Sequence, residues 1–174
     1  IVAIDDNRSY PELGIRSFGK GTFHKPPLEG VMVGTKKLFQ IHKDDLLFNI
    51  VFAWEGAVAV ARAEDHGRFG SHRFLTCVVD EKLALPEFLL FYFLTEEGLL
   101  QLRESSPGGA GRNRTLGIES LAKIAVPIPS LEEQRAFVRL LKTFASRTTL
   151  KDEVSAKLKA LRLSLLSSAA KASG

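Results

Sequence analysis

The stretch 124–141, IAVPIPSLEEQRAFVRLL, decides how the chain is divided. Its first three residues are apolar and predict a short strand over Ile124–Val126. Pro127 and Pro129 exclude a helix between them, because each proline pushes the preceding residue towards extended geometry. Ser130 and Glu133 match a capping box, in which each side chain satisfies the backbone N–H of the other residue at a helix start. We therefore predict that a globular part ends at a stiff corner and that a helix begins at Ser130.

The segment after this corner runs to about Ala172 without proline or glycine, which predicts one long helix. Apolar residues recur along it in steps of three and four residues, with a polar gap in the middle, which is the heptad pattern of a coiled coil. About 40 helical residues at ~1.5 Å each make a rod roughly 60 Å long. We expect a second copy of the chain to cover this seam and form a homodimer. The seam consists of Phe137, Leu140, Phe144, Val154, Leu158, Leu161 and Leu165.

The chain has 174 residues and a formal net charge of +4, unevenly distributed. Residues 1–130 carry 15 Lys or Arg against 16 Asp or Glu, whereas residues 131–174 carry 9 against 4. The globular part is not basic overall, so any binding of nucleic acid must use a local basic face. The single Cys77 excludes an internal disulfide and fits a reducing compartment. Without a signal peptide or a long apolar run, we expect a cytoplasmic protein that is not bound to a membrane.

Motifs that would indicate catalysis do not match. A DNA amino-methyltransferase needs Asn, Asp or Ser before a Pro-Pro pair and an aromatic residue after it, but Pro26-Pro27 lies between Lys25 and Leu28. The spacing of Gly19-Lys20-Gly21 is wrong for a phosphate-binding loop. The contiguous residues 80–82, Asp-Glu-Lys, follow a strand and favour a turn over a nuclease site. We expect a chain that is not an enzyme and that binds neither a metal nor an organic cofactor.

The centre of the chain predicts strands, and a helix follows them. Trp54 lies in a turn between two strands, where it is either a core residue, which we favour, or a platform for stacking. The predicted helix Pro86–Arg103 is apolar nearly all round, which indicates burial, and Gly98 is expected to break or bend it. The predicted strands are Leu38–Ile41, Leu46–Phe52, Val58–Ala61 and Phe74–Val79.

Three stretches combine glycine with cationic residues and predict loops: Tyr10–Lys25, Arg62–Arg73 and Ser105–Thr115. Glycine allows a backbone to approach a phosphate closely or to follow a groove. In the third stretch, arginine can donate two hydrogen bonds to guanine and asparagine can pair with adenine. Residue chemistry alone does not separate a loop that contacts nucleic acid from a surface loop that contacts only solvent, in any of the three stretches.

Several segments resemble one known family. Residues 127–134, PIPSLEEQ, with the long helix after them, resemble the end of a target recognition domain from the DNA specificity subunit of type I restriction–modification systems. Four further segments are similar to other parts of such domains: LGIRSFGKGTF at 13–23, DLLFN at 45–49, AWEGA at 53–57 and LGIESLAKI at 116–124.

The resemblance implies an α+β fold, with a target recognition domain over residues 1–129 and a spacer and dimerisation helix over 130–174. It also implies sequence-specific contact with double-stranded DNA. With it, we favour DNA-facing roles for Arg16, Lys20, Lys25, Arg68, His72, Arg73, Arg112, Asn113 and Arg114.

The partners implied by the resemblance are a type I methyltransferase subunit and, in a full complex, a restriction subunit. S-adenosylmethionine and ATP would bind to those subunits and not to this chain. Typical members carry two recognition domains and two spacer helices, so a chain with one of each is a half-subunit or a fragment. The competing interpretation is a coiled-coil assembly module without its own DNA readout.

Overall fold

The computed structural model describes residues 1–108 and 114–147. The chain divides into two compact units, Ile1–Gln134 and Arg135–Gly174, of which residues 135–147 of the second are described. The described part of the first unit is a mixed α+β fold, as predicted. Its strands are β1 (Ser9–Tyr10), β2 (Leu13–Ile15), β3 (Thr22–His24), β4 (Leu28–Glu29), β5 (Leu38–Gln40), β6 (Leu46–Asn49), β7 (Val58–Val60), β8 (Phe69–Ser71) and β9 (Phe74–Cys77). Its helices are α1 (Gly30–Val33), α2 (Pro86–Leu94), α3 (Glu96–Glu104) and α4 (Ile118–Leu121).

A three-stranded antiparallel sheet in the order β7-β6-β9 lies between two apolar clusters. Successive residues of a strand point to opposite faces, so Leu46 and Phe48 pack towards α2 and α3 while Leu47 packs towards β2. All three side chains are buried. A strand with both faces covered has a continuous apolar sequence, which is why β6 and its hairpin partner β7 were predictable.

The remaining strands form two-stranded antiparallel sheets, β1-β4, β2-β3 and β5-β8. In the β2-β3 hairpin, Gly14 lies opposite Phe23, and a Cβ on Gly14 would collide with the Phe23 ring. The aromatic ring therefore occupies the space that a side chain at position 14 would need. A third apolar cluster is centred on Tyr10, whose ring meets that of Phe69 edge-on with centroids 5.1 Å apart.

Three sequence-based assignments of strands and loops were wrong. The stretch Tyr10–Lys25 contains β2 and β3, so its loop is confined to residues 16–21. The stretch Arg62–Arg73 contains a 3-10 turn at Ala63–Asp65 and the strand β8. Ile124–Val126 is not a strand, since its residues have no ladder partner. Ile124 and Val126 are half-buried and pack against the apolar cluster that contains residues of α2.

The helical segment breaks at Thr95 and not at Gly98. The Thr95 hydroxyl accepts a hydrogen bond from the Gly98 N–H at 3.2 Å and caps α3. A Cβ on Gly98 would overlap the carbonyl oxygen of Tyr92. Gly98 therefore lies inside α3, where it allows the end of α2 to approach closely.

The corner before the last helix has the predicted capping box. The Ser130 N–H donates to Glu133 Oε2 at 2.9 Å, and the Glu133 N–H donates to Ser130 Oγ at 3.4 Å. The hydrogen bonds from the Ser130 side chain and backbone lower the pKa of the Glu133 carboxyl. The helix includes residues 131–147, and Thr148 to Gly174 lie outside the described residues. Among the helices described, none has the length and apolar character needed to cross a membrane.

The buried side chain of Gln134 ties this corner to the segment before α2. Its Oε1 accepts from the Leu85 N–H at 2.8 Å, while its Nε2 donates to the carbonyl oxygens of Leu83 at 3.1 Å and Pro129 at 2.9 Å. Gln134 is fully buried, and these three bonds satisfy polar groups that would otherwise lie in an apolar surrounding.

Candidate nucleic-acid interface

Loops gather at one edge of the central sheet, which we name the Trp54 edge. It is the edge where β6 ends and where β7 and β9 begin, because Phe48 pairs with Val58 and Asn49 with Phe74. The β6–β7 connection at this edge contains a 3-10 turn, Ala53–Glu55. The turn presents Trp54, whose indole N–H donates to the Val51 carbonyl at 3.0 Å.

The loop 16–21 between β2 and β3 is fixed against this turn by its backbone. The Phe18 N–H donates to the Glu55 carbonyl at 2.9 Å, and the Gly19 N–H donates to the Gly56 carbonyl at 3.0 Å. The Ser17 hydroxyl adds a bond to Glu55 Oε2 at 3.1 Å. The loop is therefore held in one place although most of its side chains are exposed.

Both predicted cations of this loop lie beside aromatic rings. The Arg16 guanidinium lies over the Phe23 ring, 4.7 Å from its centroid, and Nη1 donates to the Thr22 carbonyl at 2.7 Å. Lys20 Nζ lies 5.8 Å from the centroid of Phe18. Arg16 has five donors and this carbonyl takes one of them, so it retains donors for a phosphate.

Two more arginines flank Trp54. The Arg114 guanidinium lies 5.6 Å from the centroid of the Trp54 ring, within the range of a cation–π contact. Arg103, on α3, donates from Nε to the Trp54 carbonyl at 3.4 Å. Trp54 is half-buried and is not among the residues of the three apolar clusters, so it is not the core residue that the sequence favoured.

The tight turn before β9 places His72 and Arg73 at the same edge. The Arg73 carbonyl accepts from the Ile50 N–H at 2.9 Å, and the Ile50 carbonyl accepts from the Leu116 N–H at 2.8 Å. His72 and Arg73 are both exposed. Backbone hydrogen bonds therefore join this turn to the end of β6 and to the segment that carries Arg114.

Lys25 and Arg68 are not at the Trp54 edge. The Lys25 N–H donates to the Glu12 carbonyl at 3.0 Å, and Arg68 Nη1 donates to the same oxygen at 3.3 Å. Arg68 follows the 3-10 turn that ends at Asp65, and this turn lies beyond the last residue of β7. The structure thus places these two cations towards the opposite edge of the sheet.

Asp65 anchors the hairpin at that opposite edge. Its buried carboxylate accepts hydrogen bonds from Thr22 Oγ1 at 2.8 Å, His24 Nε2 at 2.9 Å and the Arg62 N–H at 2.9 Å. Burial raises the pKa of the Asp65 carboxyl, but the hydrogen bonds from the Arg62 backbone, Thr22, the Arg62 side chain and His24 outweigh it, so the pKa lies below its ordinary value. Asp65 therefore holds β3 along its length, from Thr22 beside the loop 16–21 to His24, while the loop itself is held by the 3-10 turn at the Trp54 edge.

The remaining predicted site residues lie outside the described residues or on the terminal helix. Arg112 and Asn113 belong to the undescribed segment 109–113. On the helix, Phe137 is half-buried, whereas Leu140 and Phe144 have exposed fractions of 52% and 56%. Val154, Leu158, Leu161 and Leu165 lie outside the described residues. Within residues 1–108 and 114–147, no three His, Cys, Asp or Glu side chains cluster closely enough to hold a metal ion.

Sequence reasoning missed two residues of this surface, Phe18 and Arg103, and the buried anchor Asp65. Phe18 is 71% exposed and lies between the two cations of its loop, an alternation that could have drawn attention to it. Arg103 was considered only as the end of a helix. Asp65 was not singled out, because nothing near it in sequence indicates that Thr22 and His24 reach it. Phe18 and Arg103 also line an open cleft of about 450 Å³ beside Trp54.

A small α+β domain with cationic and aromatic side chains on loops at one sheet edge belongs to the class of recognition modules. The chain belongs to the family of the type I restriction modification DNA specificity domain, whose profile matches residues 6–160. The fold is similar to the crystal structure of the HsdS subunit from Thermoanaerobacter tengcongensis, with a TM-score of 0.70 and 19% sequence identity. The similarity covers 87% of this chain and 39% of that subunit, so the chain spans well under half its length. No curated protein sequence gives a significant match.

Proposed function

We propose that this chain recognises a short sequence of double-stranded DNA and directs a type I restriction–modification complex to it. The family provides the class of function, and the Trp54 edge provides the surface. The observation that supports the proposal most strongly is that separate loops and the helix α3 bring exposed or half-buried cations to this one edge. Those cations are Arg16, Lys20, Arg73, Arg103 and Arg114.

The chemistry of this surface suits a DNA groove. The unit Ile1–Gln134 is close to neutral in total charge, so its attraction to DNA must come from a local cluster of cations. Arginine can contact guanine through two donors or a phosphate through its fork, and the rings of Phe18 and Trp54 can pack against bases or sugars. Loops held by backbone bonds present these groups with little loss of conformational entropy on binding.

We further propose the assembly that the family resemblance implies. The domain covers residues 1–129, and the helix over 130–174 acts as spacer and as the surface for a methyltransferase subunit, with a restriction subunit joining in a full complex. Two copies pair through the helix seam, so that two identical domains read an interrupted palindrome. Exposure of Leu140 and Phe144 supports this pairing, since apolar side chains at a heptad spacing are stabilised by burial. Such a complex works in the cytoplasm.

The test compares two double variants, each of which removes two cations from one of the two edges of the sheet. The Arg73→Ala/Arg114→Ala double variant removes two cations from the Trp54 edge. Loss of a base contact costs about 1–3 kcal/mol each, and loss of a phosphate contact costs less. Affinity for a duplex carrying the host methylation motif is expected to fall by at least about tenfold, measured by mobility shift with the full-length protein and its methyltransferase partner.

The matched control is the Lys43→Ala/Lys82→Ala double variant. Lys43 lies in the turn before β6, and Lys82 follows β9, so both are on the far side of the sheet from Trp54. The control also loses two exposed cations, and its affinity is expected to change less than about twofold. Equal losses in both double variants would show that the Trp54 edge has no special role. An unchanged methylation motif and unchanged affinity in the arginine variant would contradict the proposal.

The alternative function is an assembly module without DNA readout. It predicts that the chain forms dimers or binds a protein partner normally and that DNA affinity does not depend on sequence. A comparison of the motif duplex with a scrambled duplex of the same composition separates the two functions.

A further inference from the structure

Phe18 has an unusual combination of exposure and rigidity. Its ring is 71% exposed, although it is one of the largest apolar side chains in the unit Ile1–Gln134. Its backbone has a φ of 62°, a left-handed conformation that non-glycine residues rarely adopt. Such a conformation persists only where the surrounding structure holds it in place.

The support for this backbone is visible on two sides. The N–H groups of Phe18 and Gly19 donate to the carbonyls of Glu55 and Gly56 at 2.9 and 3.0 Å. Behind the loop, a Cβ on Gly19 would approach the Leu94 side chain to 2.7 Å, so the loop is pressed against α2. The backbone of the loop is therefore held by the 3-10 turn on one side and packed against the end of α2 on the other.

Two cationic side chains lie beside the ring. Lys20 Nζ is 5.8 Å from the ring centroid, and Arg103 lines the same open cleft as Phe18. Among the acidic groups, Glu55 accepts a hydrogen bond from Ser17, and Asp44 and Glu87 line a separate cleft that Lys20 also lines. An exposed apolar ring among cations suits a polyanion that also has apolar surfaces between its charges. Stacked bases between two phosphate backbones have this combination, whereas an apolar protein surface would leave the cations without partners.

We propose that Phe18 is a wedge that enters between two adjacent base pairs of the target DNA and partly unstacks them. This inference rests on the proposed function and adds to it a residue that reads the deformability of a base step. Apolar side chains inserted in this way kink the duplex, and pyrimidine–purine steps open most easily. Lys20 and Arg16 would contact the phosphates that flank the opened step. The target is therefore expected to contain a flexible step, such as TA or CA, at the position that Phe18 contacts.

The test uses two variants that differ in the ring and not in the backbone. Phe18→Asn removes the ring, and asparagine tolerates the left-handed conformation, so the loop keeps its form. Phe18→Tyr retains a ring and is the control. The probe is a duplex with the host methylation motif in which 2-aminopurine replaces one purine at a time. The fluorescence of this base rises when its neighbours unstack.

The wild-type protein is expected to raise the fluorescence several-fold at one step of the motif. Phe18→Asn should abolish that rise and weaken binding by about tenfold, while Phe18→Tyr should keep both within about twofold of wild type. Specific binding by the wild type with no rise at any step would overturn the wedge alone, as would a rise that persists in Phe18→Asn. Failure of the wild type to prefer the motif over a scrambled duplex would overturn the proposed function and the wedge together. A loss of methyltransferase binding in Phe18→Asn, with DNA affinity unchanged, would overturn the wedge in favour of a protein contact.

Discussion

Replacement of Asp65 by Asn should destabilise the domain in a manner that depends on pH. The Asp65 carboxylate accepts charge-assisted hydrogen bonds from Thr22, His24 and Arg62, and its side chain is completely shielded from solvent. Asparagine keeps one acceptor oxygen but turns an NH2 group towards the other donors. Loss of about two hydrogen bonds to a charged group, at ~1.5–3 kcal/mol each, gives a destabilisation of about 3 kcal/mol at pH 7, after allowing for the desolvation of a charge that the variant avoids.

The pH dependence follows from the lowered pKa of Asp65. The folded state prefers the ionised carboxyl, so its stabilising contribution is fully present above the pKa of the unfolded chain, about 3.9. It is lost as the pH falls from there through the lower pKa of the folded protein. The difference in the free energy of unfolding between wild type and Asp65→Asn should therefore shrink as the pH falls below about pH 4.

Urea unfolding followed by circular dichroism at several pH values measures this difference. Glu64→Gln is the matched control, because Glu64 lies in the same 3-10 turn and pairs with Arg62 at 2.8 Å but is 53% exposed. An exposed ion pair contributes about 0–1 kcal/mol. The reasoning is refuted if Asp65→Asn costs no more than this control at pH 7, or if its effect grows as the pH falls below about 4.

Three further predictions concern DNA, the corner and assembly. Because the unit Ile1–Gln134 is nearly neutral, log affinity should fall with log salt with a slope of only about −2 to −5 per recognition domain, and a slope steeper than about −8 would contradict the predicted charge distribution. Gln134→Ala should lower the free energy of unfolding by about 2–3 kcal/mol with an unchanged urea m-value, because it leaves the Leu85 N–H without its partner. The control Gln40→Ala, at an exposed position, should cost less than about 0.5 kcal/mol. Sedimentation should show a dimer for wild type and a monomer for Leu158→Glu/Leu161→Glu at roughly tens of micromolar, and a dimer that resists both charges would exclude this seam as the interface.

Features set by neighbouring residues were the ones predictable from the sequence. The Ser130–Glu133 capping box needs partners only three residues apart, and the β6–β7 hairpin needs two apolar runs and the turn between them. The strand β8 was missed because its partner β5 lies about thirty residues earlier and its own sequence, Phe-Gly-Ser, has one apolar side chain. Gly98 was taken for a helix break because glycine has low helix propensity, whereas its real role is the close approach of Tyr92.

The candidate site was predictable as a set of loops but not as a surface. Glycine and arginine in one stretch indicate a loop with cations, and this identified the segments of Arg16, Arg73 and Arg114. Whether two loops lie at the same edge depends on long-range backbone bonds, such as those that join Arg73 to Ile50 and Ile50 to Leu116. For that reason Lys25 and Arg68 could not be separated from the other cations on sequence grounds, and Phe18 was missed.

The attachment of the loop 16–21 has a consequence for engineering. At its outer end the loop is held by main-chain groups of residues 18, 19, 55 and 56, and its other end continues into a hairpin fastened by Asp65. Neither attachment uses the side chains of Phe18 or Lys20. Positions 18 and 20 can therefore be varied in a library without loss of the scaffold. Position 18 is limited to residues that accept a left-handed backbone, and position 20 has no such limit. If the proposed function holds, selection from such a library would yield domains with altered target preference on an unchanged frame.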